Sequence, residues 1–459
     1  MLACAGLCIK EMPTLSGQQQ RSLKKPAEKP NTANKTGNDA AEPKILQETL
    51  PVKARKAHSL TGRITNDLML KAFKDVKKNR GAAGIDKTSI SMFERQLDQN
   101  LTRLMKDLKS GAYQSKPLRR KLIPKAPGKF RPLGIPAVRD RVAQDVIRKL
   151  IEPYFEPHFS DHSFGFRPNR SCHQAIREML KFWKQGYRIV LDADIQGFFD
   201  NIQHELMIDL VAQKIADGNI LRTIRKFLKA GVMEDGVLKK TSMGTPQGGV
   251  ISPLLANIVL DLLDKELAKA GYIFVRYADD FLVLAKSTPE CEKALDLVQS
   301  VIEGKLQLTL SPEKTKITSF KKGFEFLGFF FSSNGASMRT KSVENLKEKI
   351  KRLTVRSHNL SDDTIRKLNR VTRGIANYYL TEFSTVKYQF FKLDLRIRRR
   401  LRQMKKKRIS MADNRRIPNR FFERKGLVSL YALAKGSQRT KLGFPYSGAR
   451  LNGRPDKPS

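Results

Sequence analysis

The chain has 459 residues and 40% hydrophobic content, enough to build two or three domains with proper cores, which excludes a mini-protein or a wholly disordered chain. Its 88 Lys and Arg against 45 Asp and Glu leave a net charge of +43, far more than solubility needs, and imply a polyanionic partner. Residues 339–459 alone carry 33 basic and nine acidic side chains, so the positive field is concentrated rather than spread. No apolar run reaches the ~18 residues of a membrane span, which favours nucleic acid over a lipid surface. The four cysteines (Cys4, Cys8, Cys172, Cys291) make neither a disulfide framework nor a CxxC pair, so the cytoplasm is the expected compartment.

In chain order, residues 1–57 read as a disordered basic leader, poor in aromatic and β-branched residues. Thr65 then caps a predicted helix whose Leu68, Met69, Ala72, Phe73 and Val76 recur at helical spacing. A turn at Arg80–Asp86 (RGAAGID) precedes a second helix near Ile90–Leu108. Five prolines between Pro117 and Pro136 predict short extended pieces there. Helices follow at Arg139–Tyr154 and Cys172–Trp183. Arg188–Asp194 (RIVLDAD) and Ile273–Asp279 (IFVRYAD) read as buried strands ending in acid, the second turning back at Asp280 into Phe281–Ala285. A helix at Pro289–Glu303, a strand-like Gln307–Leu310 and two Phe-rich strands within Phe324–Phe331 come next. From Ser342 onward the pattern is helical and basic, with Val343, Leu346, Ile350 and Leu353 at bundle spacing. Strands scattered among helices, then helices alone, predict an α+β fold followed by an all-α domain.

The chemistry points to carboxylates. Asp279 and Asp280 end one apolar strand pair and Asp194 ends another, where like charges are costly unless a cation neutralises them. Acids converging without His or Cys form the hard-oxygen set that suits Mg²⁺, and two such ions support nucleotidyl transfer. With the basic charge, this makes a polymerase palm the leading expectation.

Eight ordered motifs then carry a resemblance. They are RGAAGID (80–86), IPKAPGKFRPLGIP (123–136), SFGFRPNRSCHQAI (163–176), VLDADIQGFFDNI (190–202), GTPQGGVISPLLANI (244–258), YADD (277–280), LSPEKTKI (310–317) and FEFLGF (324–329). Over roughly residues 58–400 the chain resembles a group II intron-encoded protein, a reverse transcriptase joined to an RNA-splicing maturase domain. The resemblance implies a right-hand polymerase: fingers and palm with an antiparallel sheet over 58–335, a helical thumb and maturase domain over 336–410, and a basic tail over 411–459.

Position by position, the resemblance makes Asp194, Asp279 and Asp280 the catalytic acids and the ligands of two Mg²⁺ ions. Asp194 has the expected spacing to Phe199; Asp192 is read as strand support and Asp200 as structural. Phe199 resembles the residue that packs under the incoming sugar and excludes a 2′-hydroxyl. Lys125 and Arg131 resemble the fingers cations that grip the dNTP triphosphate. In the 244–250 loop the glycines are expected to let backbone approach the nascent base pair, with Gln247 contacting nucleotide and template. Lys314 is a further candidate near the site.

Arg396, Arg398, Arg399, Arg400, Arg402, Lys405, Lys406, Lys407 and Arg408 crowd into thirteen residues, a density expected to cover every face of a helix and to lie against RNA phosphates. No histidine follows His358 and no cysteine follows Cys291, so the chain resembles the class without a C-terminal endonuclease. The implied partners are group II intron RNA, target DNA and dNTPs, and the implied roles are cDNA synthesis, splicing assistance and intron mobility. Two alternatives keep the same motifs: a domesticated reverse transcriptase in defence or repair, and a non-catalytic RNA-splicing chaperone.

Overall fold

The computed structural model describes residues 56–436 apart from 127, 235–236, 240–242, 246–247 and 411. The expected leader therefore lies outside the described residues except at its end. There Ala57 is buried and bridges Ile215, so the last residue of the predicted leader packs on the fold. Thr65 caps the first long helix, Asn66–Asn79, by accepting from the Leu68 amide at 3.3 Å. Where one helix was expected near residues 90–108 there are two, Ile90–Arg95 and Leu97–Ser110, because Gln96 leaves helical geometry (φ −124°, ψ 45°).

The proline-studded segment forms a long antiparallel hairpin rather than short pieces: β1 (Leu118–Ala126) pairs with β2 (Lys129–Ile135). Proline lacks a ladder donor and survives only at sheet edges. Pro132 meets this condition on the outer strand β2, and Pro124 meets it beyond the two residues where β1 pairs with β4 (Val232–Glu234). β5 (Val237–Lys239) closes this four-stranded sheet.

The central sheet has the order β6-β7-β3-β8, all antiparallel, from β3 (Ile189–Asp194), β6 (Ile273–Tyr277), β7 (Asp280–Ala285) and β8 (Lys316–Ser319). Its two faces bury different cores. Leu191, Ala193, Phe274, Phe281 and Val283 pack with helices Val138–Phe155, Ser252–Lys269 and Thr288–Gln299. Val190, Val275, Leu282 and Leu284 pack with helix Cys172–Lys184 and the C-terminal half. Burial on both faces explains why these strands read as unbroken apolar runs. The predicted strand at Gln307–Leu310 is a correction: only Leu310 bridges, to Ile195, and the fourth strand is β8, whose polar sequence hid it.

The Phe-rich segment gives β9 (Phe324–Phe326) and β10 (Phe329–Ser332), joined by β11 (Gly335–Met338) in a three-stranded sheet. Helices Thr340–Leu353, Asp362–Tyr379 and Lys387–Lys406 follow. Helices Asn419–Arg424 and Leu430–Gly436 bury Phe422, Leu430 and Ala434 in the same core. Asp394 fastens the second of them by accepting from Ser429 Oγ (2.6 Å) and from the Leu430 (3.0 Å) and Tyr431 (2.9 Å) amides. The segment expected to be tail from residue 411 is thus part of the helical core to residue 436.

Candidate active site

Strand alternation decides which acids share a face. Val190, Asp192 and Asp194 alternate with Leu191 and Ala193, and Asp280, Leu282 and Leu284 alternate with Phe281 and Val283. Asp194 and Asp280 are directly opposite in the β3–β7 register, so both carboxylates emerge on the face turned toward the C-terminal half. Tyr277 pairs with Asp280, which leaves Ala278 and Asp279 as a two-residue turn, with Ala278 at φ 60°. Asp194, Asp279 and Asp280, predicted as one site, are therefore gathered at one end of the central sheet, all half-buried.

Burial pushes the Asp280 carboxyl up to about 7, with Asp192, Asp279 and Asp194 adding like charge. Asp192 is pushed up to about 6 by burial, against the pull of Lys316 at 3.8 Å. Asp192 lies on the same face of β3 as Asp194. Lys314 forms an ion pair with Asp194. Among the described residues no group of three or more His, Cys, Asp or Glu side chains converges tightly enough to hold a metal by itself. The donor chemistry nonetheless fits a divalent cation, since mutually repelling carboxylates with no imidazole or thiolate are what a hard cation relieves.

Phe199 sits in the one-turn helix Phe198–Asn201, half-buried and edge-on to Phe198 at 5.2 Å. Its carbonyl accepts from the Thr245 amide at 2.7 Å, and the Gly244 amide donates to Ile202 at 2.7 Å, so the 244–250 loop is laced to the FFD segment. Gly248 (φ +118°) lies against the Gly134 carbonyl of β2, where a Cβ would collide, so the 244–250 loop packs closely on the hairpin. Gln247 falls outside the described residues. Arg131 lies on β2 opposite Ile123; burial raises the Asp200 carboxyl against the opposing pull of Arg120 and Arg131, and the 244–250 loop touches both the hairpin and the FFD segment. Lys125 lies on β1 at the register shift between Pro124 and Ala126.

Sequence comparison identifies the family. Residues 123–331 match the reverse transcriptase (RNA-dependent DNA polymerase) family, and residues 343–422 match the group II intron maturase-specific domain. Protein YkfC of Escherichia coli K12 is 36% identical over 55% of the chain and 76% of its own length. The group II intron-encoded protein LtrA of Lactococcus lactis subsp. cremoris is 33% identical over 57% of the chain and 54% of its own length. The chain belongs to the group II intron-encoded proteins. Among solved structures, a partial Cas6-RT-Cas1–Cas2 complex aligns over 54% of the chain and 42% of its own, at 24% identity and a TM-score of 0.35. The chain carries an RNA-directed DNA polymerase domain followed by a maturase domain, and its alignment spans about half of LtrA.

In the maturase domain of this group II intron-encoded protein, the basic run needs correction. Its helix is amphipathic: Ile397, Leu401 and Met404 are buried at helical spacing. Arg402 is itself buried and donates to Ile417 O and Asn419 Oδ1, both at 2.8 Å. Arg400 donates to Thr354 Oγ1 at 3.1 Å, Lys407 to Ser357 O at 3.0 Å, and Arg408 pairs with Asp413 at 3.0 Å. Arg398 lies 3.8 Å from Glu423, and Arg396 is half-buried. Arg399, Lys405, Lys406, Lys407 and Arg408 are exposed, Lys405 with its ammonium 4.8 Å from the centre of the Phe421 ring. Density alone predicted nine equivalent cations because sequence does not show which carbonyls a fold leaves in need of a donor.

Sequence reading also passed over Arg276, Asp264 and Asn257, a buried polar set beside the YADD turn. The available signal was an arginine inside an apolar strand and two acids, Asp261 and Asp264, inside an apolar helix.

Proposed function

We propose that this protein synthesises DNA on an RNA template and binds its own group II intron RNA, assisting its splicing and its movement into target DNA. The observation that carries the polymerase reading is the Asp194–Asp280 register with Asp279 in the adjoining turn. Asp194, Asp279 and Asp280 would hold two Mg²⁺ ions. Bound there, the metals would supply Lewis-acid activation of a primer 3′-hydroxyl and neutralise charge at the transferred phosphoryl group. Arg131 and Lys125, on the hairpin beside the FFD segment, orient the dNTP triphosphate; Phe199 excludes the ribose 2′-hydroxyl; Gln247 contacts nucleotide and template. Lys314 balances the Asp194 charge when the site lacks a cation.

The chain is divided at about residue 335. The polymerase lies before it, and the helical region from 336 presents Arg399, Lys405 and Lys406 to RNA phosphates. The test is primer extension on an RNA template with Mg²⁺ and dNTPs, alongside binding of intron RNA. Asp194→Ala and Asp279→Ala are expected to lose DNA synthesis at least 1000-fold (about 4 kcal/mol in barrier) with RNA affinity nearly intact. Undiminished synthesis in either variant would refute the assignment.

A further inference from the structure

Arg276 points from β6 into the core with its side chain fully buried, as is that of its partner Asp264. The guanidinium donates to Asp264 through Nε (2.7 Å) and Nη2 (2.5 Å). Nη1 donates to Asn257 Oδ1 and to the Ala278 carbonyl, both at 3.0 Å. Asn257 in turn donates through Nδ2 to Gly165 O at 2.9 Å. The Arg276 amide donates to His162 O at 2.9 Å, and its carbonyl accepts from the Phe164 amide at 2.8 Å. Gly165 lies flat on the turn: a Cβ there would collide with the Ala278 amide.

A fully buried ion pair is a poor source of stability, since apolar residues of similar volume do as well or better. This one does something an apolar pair could not. Its remaining donor holds the carbonyl of the residue before Asp279, in a turn whose Ala278 has positive φ and which would otherwise be free to relax. Asp264 fixes the plane of the guanidinium, and Asn257 ties the same group to the loop lying on the turn.

Resting on the polymerase reading, we infer that Arg276 is a positioning residue for nucleotidyl transfer, with Asp264 and Asn257 as its supports: it clamps the Ala278 carbonyl and so fixes Asp279 relative to Asp194. A lysine cannot replace it, because one ammonium does not reach Asp264, Asn257 and Ala278 together in the plane that the fork spans.

The experiment is single-nucleotide incorporation by the full chain on an RNA template with an annealed DNA primer, with kcat, KM for dNTP, primer–template Kd and Tm measured together. Arg276→Lys is expected to lower kcat about 100-fold, the scale of a 1 Å misplacement of a catalytic group, with KM and Kd within about twofold of the unaltered chain. Arg276→Met/Asp264→Leu removes both charges; it is expected to recover Tm while kcat stays low, because the Ala278 carbonyl still lacks its donor. A purely structural pair gives the opposite split, a lowered Tm with normal kcat in the folded fraction. Normal kcat in either folded variant overturns the inference, and Arg276→Lys decides if the double variant does not fold. No incorporation by the unaltered chain would overturn the polymerase reading itself and is read separately.

Discussion

Lys314 reaches Asp194 from 120 residues along the chain, and its ammonium is paired with the carboxylate that stands opposite Asp280 in the central sheet. One cation of the chain thus occupies the electrostatic position that a bound metal would take. Lys314→Met leaves Asp192, Asp194, Asp279 and Asp280 without that counter-charge. The rise in Tm on adding Mg²⁺ is therefore expected to be larger in the variant than in the unaltered protein. Thermal unfolding with and without Mg²⁺ measures it; an equal or smaller rise would contradict this role.

Phe199 gives a prediction about substrate choice. Phe199→Val opens space beneath the sugar and is expected to reduce discrimination against ribonucleotides by about 10- to 100-fold, the range open to a steric pocket. Competing dNTP and rNTP incorporation on one template provides the readout, and unchanged discrimination would remove Phe199 from the sugar site.

The cations of the 387–406 helix divide by partner, and substitutions should divide with them. Arg402→Ala orphans the Ile417 carbonyl and is expected to cost roughly 2 kcal/mol of stability. Arg399→Ala and Lys406→Ala are expected to leave Tm nearly unchanged. Each should instead flatten the log Kd against log salt slope for intron RNA by about 0.7–0.9. Denaturant titration and salt-dependent binding separate the two groups.

Asp394 ties the last described helix to the 387–406 helix through three accepted hydrogen bonds. Asp394→Ala strands three donors at once, so a loss of about 2–3 kcal/mol and faster proteolysis within residues 413–436 are expected. Unaltered proteolysis there would mean that Phe422 and Leu430 hold the segment without it.

Half-buried His173 and buried His204 each lower stability in acid, opposite in sign to Asp280 and Asp192, whose raised carboxyls bind protons more readily in the folded chain. Burial lowers the pKa of His173, whose Nε2 is 2.9 Å from Tyr378 O, and of His204, whose Nε2 is 2.7 Å from Gly244 O. Nearby, Arg177 pushes His173 down and Glu382 pushes it up, while Lys229 and Glu205 act likewise on His204. A lowered folded-state pKa means that the unfolded chain binds more protons below the ordinary value of 6.5, so stability falls as pH drops through it. His173→Gln removes one such contribution, so the urea midpoint of the variant relative to the unaltered chain is expected to be higher at pH 5.5 than at pH 7.5; an unchanged difference would show that His173 makes no such contribution.

The sequence was legible where one residue type has one physical use. Thr65 as a cap and a hairpin joining buried strands that carry the acids follow from local chemistry, and the structure has both, although the turn is Ala278-Asp279 and Asp280 lies on β7 rather than at the tip. It was illegible where a side chain is defined by a distant partner. β8 reads as polar because Lys316 faces Asp192, and the 307–310 segment reads as a strand although only Leu310 pairs. Asp192 looked like a support because spacing to Phe199 names one acid, whereas a pleated strand puts every second residue on the same face.

By itself, then, the sequence determined the family, the α+β order with a helical C-terminal half, and the three acids at the ends of their strands. These depend on composition, periodicity and motif spacing, which are properties of the chain. Only the tertiary structure decided which of the nine crowded cations are exposed, that residues 413–436 join the core, and that Arg276 clamps the turn bearing Asp279. Each of these is a pairing of a buried donor with a particular acceptor brought in from elsewhere in the chain, and such pairings exist only once the chain has packed.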